Sequence, residues 1–221
     1  MQGKRIDISI VIWIIWRVRN SSAYLCPMNH LAHCFLSFGN EDLLLGNFIG
    51  DYIKGNQWEK YPLGVQRGIL LHRTIDSFTD SNPWTHQCSA RIRPYSKRFS
   101  GPVVDILFDH LLAINWERYS PKTLSEFAQE TYTMLEHRRL EMPLDLQDRL
   151  PRMVAGNFLQ GYGHREGLDF VFSRFMKRLS IPFDQAAMLD FFEAHIGAFE
   201  NDFNQFFPEL IEKAKTYIQD N

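Results

Sequence analysis

The sequence predicts an all-α fold. Three observations carry that prediction. Strand signals are nearly absent from residue 28 onward, apolar residues recur at helical three- and four-residue spacing, and prolines stand at the starts of several apolar segments. Residues 28–221 contain no low-complexity tract and no internal repeat, so they read as one domain.

The elements follow in order. "MNHLAHCFLSF" opens the domain and puts His30 and His33 on one face if it is helical. "EDLLLGNFIGDYIKGN" predicts a short helix or helix-turn ending near Gly55. "YPLGVQRGILLHRTIDSFTD" predicts a helix started by Pro62 and stopped before "SNP". Pro83 starts the next helix, through "WTHQCSARIRPYSKRF". "GPVVDILFDHLLAINWERY" again has a proline near its first turn. "PKTLSEFAQETYTMLEHRR" is amphipathic, with Ser120 as its expected cap. In "LDLQDRLPRMVAGNFLQGYG" the internal Pro151 predicts a kink or a split. "HREGLDFVFSRFMKRLS" and "FDQAAMLDFFEAHIGAFENDFNQFFPELIEKAKTYIQ" complete the layout. The last is long and aromatic on one side, as expected of the packed wall of a bundle.

Composition narrows the function. Of 221 residues, 45% are hydrophobic and 18 are Phe, enough for a bulky core. A formal net charge of -2 argues against a general polyanion binder, so nucleic acid is not the expected partner, while a local basic patch stays open. Cys26, Cys34 and Cys88 form no CxxC pair and no zinc spacing, so they read as thiols in a reducing, cytoplasmic compartment. Residues 1–27 are read as an extension outside the fold. The apolar run from Ile8 to Trp16 is shorter than the roughly 20 residues that span a bilayer. Arg17 and Arg19 follow it directly, and "SSAYLCP" is a poor cleavage site. Met28 is the expected working initiator, with a weak membrane anchor as the alternative.

The chemistry lies in "LLHRTIDSFTDSNP". His72, Asp76 and Asp80 fall at four-residue intervals and share one side of the helix, with Arg73 beside them. In "VVDILFDHLLAINW", Asp105 and Asp109 repeat the four-residue spacing and His110 adjoins Asp109. A carboxylate in such an apolar run is costly to bury unless paired or bound to a metal. Asp51 follows Gly50, where a backbone can approach a ligand closely. Singly, each residue has an ordinary explanation: Asp80 as a cap, Asp105 as a first-turn carboxylate, any one His as a core residue. Together, His33, Asp51, His72, Asp76, Asp109 and His110 offer the ligand chemistry of a divalent transition metal, Mn²⁺, Fe²⁺ or Zn²⁺. Helical bundles place such ligands on facing helices at these spacings.

These motifs resemble the acyl carrier protein phosphodiesterases, relatives of the HD-domain phosphohydrolases. The matching text is "MNHLAH" (28–33), "LLGNFIGDYIKG" (44–55), "GILLHRTIDSFTDSNP" (68–83) and "DILFDHLLAINW" (105–116). The resemblance implies an HD-domain-like helical bundle over residues 28–221. It also implies hydrolysis of the phosphodiester that joins 4′-phosphopantetheine to a serine of holo-acyl carrier protein, dependent on a divalent metal, typically Mn²⁺. It carries His33, Asp51, His72, Asp76 and Asp109 over as metal ligands. Arg73, Asp80 and His110 become supporting, phosphate-binding or proton-transfer groups. Some positions depart from the pattern. Asn82 stands where a histidine often precedes the proline, His30 stands where an aromatic is usual and reads as non-catalytic, and "GNFLQGYG" matches only loosely.

The basic run "ARIRPYSKRF", with Arg91, Arg93, Lys97 and Arg98, is then expected to dock an acidic carrier protein. A solvated charged face is its ordinary alternative. Arg138 and Arg139 are a second candidate. Two other readings stand beside the main one: a metal-dependent hydrolase of a nucleotide or other small phosphoester, and a non-catalytic helical module that binds carrier protein.

Overall fold

A computed structural model of the chain describes residues 29–179 and 184–221. The expected extension, residues 1–27, lies outside the described residues. Among the described residues every regular element is helical and none is a strand.

The first four helices build the part that matters for function. Helix α1 spans His30–Phe35 and α2 spans Glu41–Ile49, capped by Asn40, whose side chain accepts from the Leu43 amide at 3.0 Å. A 3₁₀ turn, Gly50–Tyr52, follows α2 directly. Helix α3 spans Leu63–Ser81, and Val65, Gly68, Ile69, His72 and Ile75 form its buried face. Helix α4 spans Pro83–Ser96, with Pro83 in its first turn and the Asn82 side chain accepting from the Trp84 amide at 2.9 Å. Asn82, not Asp80, is therefore the cap at this junction.

Helices α2 and α3 touch backbone to backbone. A Cβ on Gly46 would lie 2.2 Å from the Val65 carbonyl oxygen, and one on Gly68 would lie 2.6 Å from that of Leu43. Only glycine permits this crossing.

Helix α5 spans Ser100–Ile114 and α6 spans Leu124–His137. Asp105 thus sits in the second turn of α5 rather than the first. Helix α6 begins at Leu124, and its cap is Thr123 rather than Ser120. Thr123 and Glu126 form a reciprocal capping box, with the Thr123 amide donating to Glu126 Oε2 at 2.8 Å and the Glu126 amide to Thr123 Oγ1 at 3.2 Å. Helix α7 spans Leu144–Ala155 and runs through Pro151 without a break. The chain turns instead at Gly156 and Asn157, where Asn157 takes φ 49°, before the short α8, Phe158–Gly161. Helix α9 spans Arg165–Leu179.

The expected long terminal helix is two helices, α10 (Gln185–Ala194) and α11 (Ile196–Asp220). His195 leaves helical geometry, and its amide and its Nδ1 both engage the Phe191 carbonyl, which ends α10. The aromatic stripe on α11 is buried. Phe199, Phe203, Phe206 and Phe207 follow at helical spacing, and their rings meet Phe35, Phe78, Phe108, Phe192 and Tyr119 from five neighbouring segments. Near its end α11 is tied back to α3. Arg67 Nη2 donates to the Ile218 carbonyl at 3.0 Å, and the Tyr217 hydroxyl donates to the Arg67 carbonyl at 3.1 Å.

Cys34 and Cys88 are buried free thiols. No helix among the described residues is long and apolar enough to cross a membrane.

Candidate metal centre

The cluster begins with the four-residue spacing on α3. His72 and Asp76 are adjacent on one face, and His72 Nε2 lies 3.3 Å from Asp76 Oδ2. Helix α1 brings in His33, whose Nε2 is 3.4 Å from Asp76 Oδ1. The two imidazoles stack, with centroids 4.2 Å apart. The turn after α2 adds Asp51, whose Oδ1 is 3.2 Å from His72 Nε2. One donor atom from each of His33, His72 and Asp76 falls within a common 4.8 Å. Gly50 makes room for this, since a Cβ there would lie 2.3 Å from His72 Cγ.

The electrostatics are strongly coupled. Burial alone would lower the His72 pKa, but the Asp76 and Asp51 carboxylates outweigh it and hold the imidazole well above its ordinary value. Burial would likewise raise Asp76, but its contacts with His72 and His33 hold the carboxyl well below the usual range. Asp51 and Asp76, 23% and 25% exposed, bring two carboxyl groups against the two buried imidazoles, a donor set that suits a cation. Both Nε2 atoms are buried and make no well-formed hydrogen bond, although carboxylate oxygens lie near. Buried imidazole nitrogens converging with carboxylates fit a divalent metal of the borderline N/O type.

Asn47 is not singled out by the sequence, yet it holds both histidines. Its Oδ1 is 2.7 Å from His33 Nδ1, its Nδ2 donates to the His33 carbonyl at 2.7 Å, and its own carbonyl is 2.9 Å from His72 Nδ1. The only sequence signal was an amide in the apolar run "LLGNFIGD", four residues before Asp51.

The other expected site residues lie differently. Asp109 is not brought into the cluster. It is almost wholly buried, and its Oδ2 and Oδ1 accept the amides of Leu31 at 2.8 Å and Ala32 at 2.9 Å. It thus seats the first turn of α1, one and two residues before His33. Burial raises its pKa to about 7, only partly opposed by those two amides and a hydrogen bond with the Tyr162 side chain. His110 places Nδ1 2.7 Å from the Tyr162 carbonyl and its ring against Phe192, and burial lowers its pKa. Arg73 Nη2 donates to the carbonyls of Ile53 at 3.1 Å and Gly55 at 2.8 Å, tying down the loop that carries Asp51. Asp80 is exposed in the last turn of α3, and its carbonyl meets His86 Nε2 at 2.8 Å. His30 is buried between Phe48 and Phe158, and burial lowers its pKa to about 3, so it is neutral.

The basic run divides. Arg91 is bound to the fully buried Asp202 of α11 and lies over Phe199. Cys88 Sγ shares that carboxylate at 3.4 Å. Arg93, Lys97 and Arg98 are exposed. Arg138 is paired with Asp42 and Glu141.

Comparison with known proteins gives a consistent result. A family model described as acyl carrier protein phosphodiesterase matches residues 28–210. A protein of that name from Enterobacter sp. (strain 638) is 30% identical over 199 residues, covering 85% of this chain and 98% of its own length. Namesakes from Escherichia coli O45:K1 and Pectobacterium atrosepticum are each 31% identical over 194 residues, covering 85% and 86% of this chain and 97% and 98% of their own. No solved structure matches.

Proposed function

We propose, from the premise that this chain belongs to the acyl carrier protein phosphodiesterase family, that it hydrolyses the phosphodiester between 4′-phosphopantetheine and a serine of holo-acyl carrier protein. The products are apo-carrier and free 4′-phosphopantetheine. The observation that carries the metal-dependent form of this reading is the convergence of His33, His72 and Asp76 within 4.8 Å. These three would hold a divalent ion, Mn²⁺ by resemblance, with Asp51 beside His72. The relation to HD-domain phosphohydrolases belongs to the same proposal.

When bound, such an ion supplies Lewis acidity, neutralising phosphate charge and acidifying a water near neutral pH. The chain's own residues do the rest. His33 and His72 present Nε2 from two different helices. Asp51 and Asp76 supply the negative charge that draws a cation in. Arg73 holds the loop after Asp51 in place. Asp109 seats α1 and, with both oxygens occupied, is assigned that role in preference to ligation. His110 fixes the turn at Tyr162. Asp80, exposed one turn beyond Asp76, is assigned to the substrate side. Arg93, Lys97 and Arg98 meet the acidic carrier, and the reaction takes place in the cytoplasm.

Mass spectrometry tests the reading. Holo-carrier incubated with the protein and Mn²⁺ is expected to lose the 4′-phosphopantetheine mass. A chelator, or His72→Ala with helical content intact, is expected to stop the loss. An unchanged carrier in the presence of folded, metal-loaded protein would sink the proposal.

A further inference from the structure

Asn47 is fully buried in α2, between α1 and α3. An amide in such a place must be satisfied, and its partners fix which way it faces. The His33 carbonyl can only accept, so the group 2.7 Å from it is the amide nitrogen. The same nitrogen lies 3.3 Å from Ser37 Oγ, and Ser37 Oγ itself donates to the His33 carbonyl at 3.0 Å. The oxygen of Asn47 is therefore the atom facing His33 Nδ1 at 2.7 Å. An amide oxygen only accepts, so the proton is on Nδ1. The same logic applies to His72. Its Nδ1 lies 2.9 Å from the Asn47 main-chain carbonyl, which also only accepts. Both rings are thus Nδ1–H donors, and in their neutral forms both Nε2 atoms carry a lone pair.

We propose that Asn47 is the positioning residue of the metal centre: its side chain fixes the tautomer of His33 and its main chain fixes that of His72, so that both Nε2 atoms face one ion. This rests on the metal reading above and deepens it. Metal-bound histidines characteristically donate their second ring N–H to a fixed acceptor, which orients the ring. Here one residue serves two ligands through two chemically different groups. A substitution at position 47 removes the first acceptor and leaves the second in place. That asymmetry separates positioning from a general structural role, which would disturb both rings alike.

The experiment uses the whole protein loaded with Zn²⁺, which is diamagnetic, and reads long-range ¹H–¹⁵N correlations of the histidine rings together with Zn²⁺ affinity by calorimetry. In the unsubstituted protein, His33 and His72 are both expected as Nδ1–H tautomers. Asn47→Leu keeps the volume and removes the acceptor. It is expected to lower Zn²⁺ affinity about 10- to 100-fold, to change the His33 signals and to leave the His72 pattern intact. Asn47→Asp restores an acceptor to His33 Nδ1 and is expected to recover part of the affinity. Ser37→Ala spares the His33 Nδ1 contact and is expected to bind Zn²⁺ as the unsubstituted protein does. An Nε2–H tautomer at either ring in the unsubstituted protein overturns the inference, and that reading needs no variant to fold. Wild-type affinity in a folded Asn47→Leu protein overturns it as well, while the metal reading survives. If the unsubstituted protein binds neither Zn²⁺ nor Mn²⁺, the metal reading falls and this inference falls with it.

Discussion

Asp109 gives both oxygens to the amides of Leu31 and Ala32 in a place almost closed to water. Burial raises its pKa to about 7, against about 3.9 in an unfolded chain. Between those values the native state holds a proton that the unfolded state has released. The contribution of this group to stability is therefore full below about pH 4, falls as pH rises towards 7, and is level beyond. Asp109→Asn removes that dependence. It also turns an NH₂ towards an amide N–H, leaving a buried donor without a partner at a cost of about 1–3 kcal/mol. Urea unfolding of metal-free protein between pH 4 and 8 measures both effects, and equal slopes for the two proteins would dismiss the first. At this scale the sequence showed the unusual residue types but not their direction. His33, His72 and Asp76 stood out because imidazoles and carboxylates at helical spacing sit badly on an apolar face. Asp109 stood out for the same reason, yet its partners are amides 77 and 78 residues away. Asn47 was hidden because a lone amide carries no periodic signal, and its value comes from a second helix and a third.

Helices α2 and α3 set the spacing between the two halves of the candidate centre. His72 and Asp76 ride on α3, while Asn47 and the Gly50–Tyr52 turn belong to the α2 side. Gly46 and Gly68 let the two backbones meet. Gly68→Ala would place a methyl group 2.6 Å from the Leu43 carbonyl oxygen, and the helices must separate to admit it. The expected destabilisation is about 1–3 kcal/mol, with weaker Mn²⁺ binding because His72 moves relative to Asn47. Denaturation and calorimetry check the two effects, and unchanged stability would show that the crossing is not tight. The helical character of these segments was legible from their periodicity and their prolines. Their ends were less so. Ser120 looked like a cap, but Thr123 has the glutamate three residues on that completes a capping box. Pro151 looked like a breaker, but it lies within α7, and the turn falls at Gly156–Asn157. The break at His195 gave no signal, because a ring bonding back four residues is invisible to composition.

The charge on the molecule's surface divides by function once the fold is known. Arg91 belongs to the interior through Asp202, whereas Arg93, Lys97 and Arg98 face solvent. Arg91→Ala would leave Asp202 buried and unpaired, costing about 3–5 kcal/mol and lowering stability without touching carrier affinity in the protein that remains folded. Neutralising the three exposed cations is expected to do the reverse. KM for holo-carrier rises, its salt dependence weakens, and the melting temperature holds. Kinetics at two ionic strengths decide the matter, and an unchanged KM would return the three to an ordinary solvated surface. These four cations cannot be divided from sequence alone, because Asp202 lies 111 residues from Arg91.

The tie between Arg67 and the last turns of α11 has a consequence for the order of assembly. The residues of the candidate centre, from His33 to Asp76, are made early by the ribosome. The segment that clamps their helix is made much later, with Arg67 bonding to Ile218 across 151 positions. Closing a loop of that length costs chain entropy before the contact repays it. A chain still being synthesised can form α1 to α3 but lacks the wall that α11 provides. The helix that carries His72 and Asp76 thus gains this clamp only once residue 218 has been made.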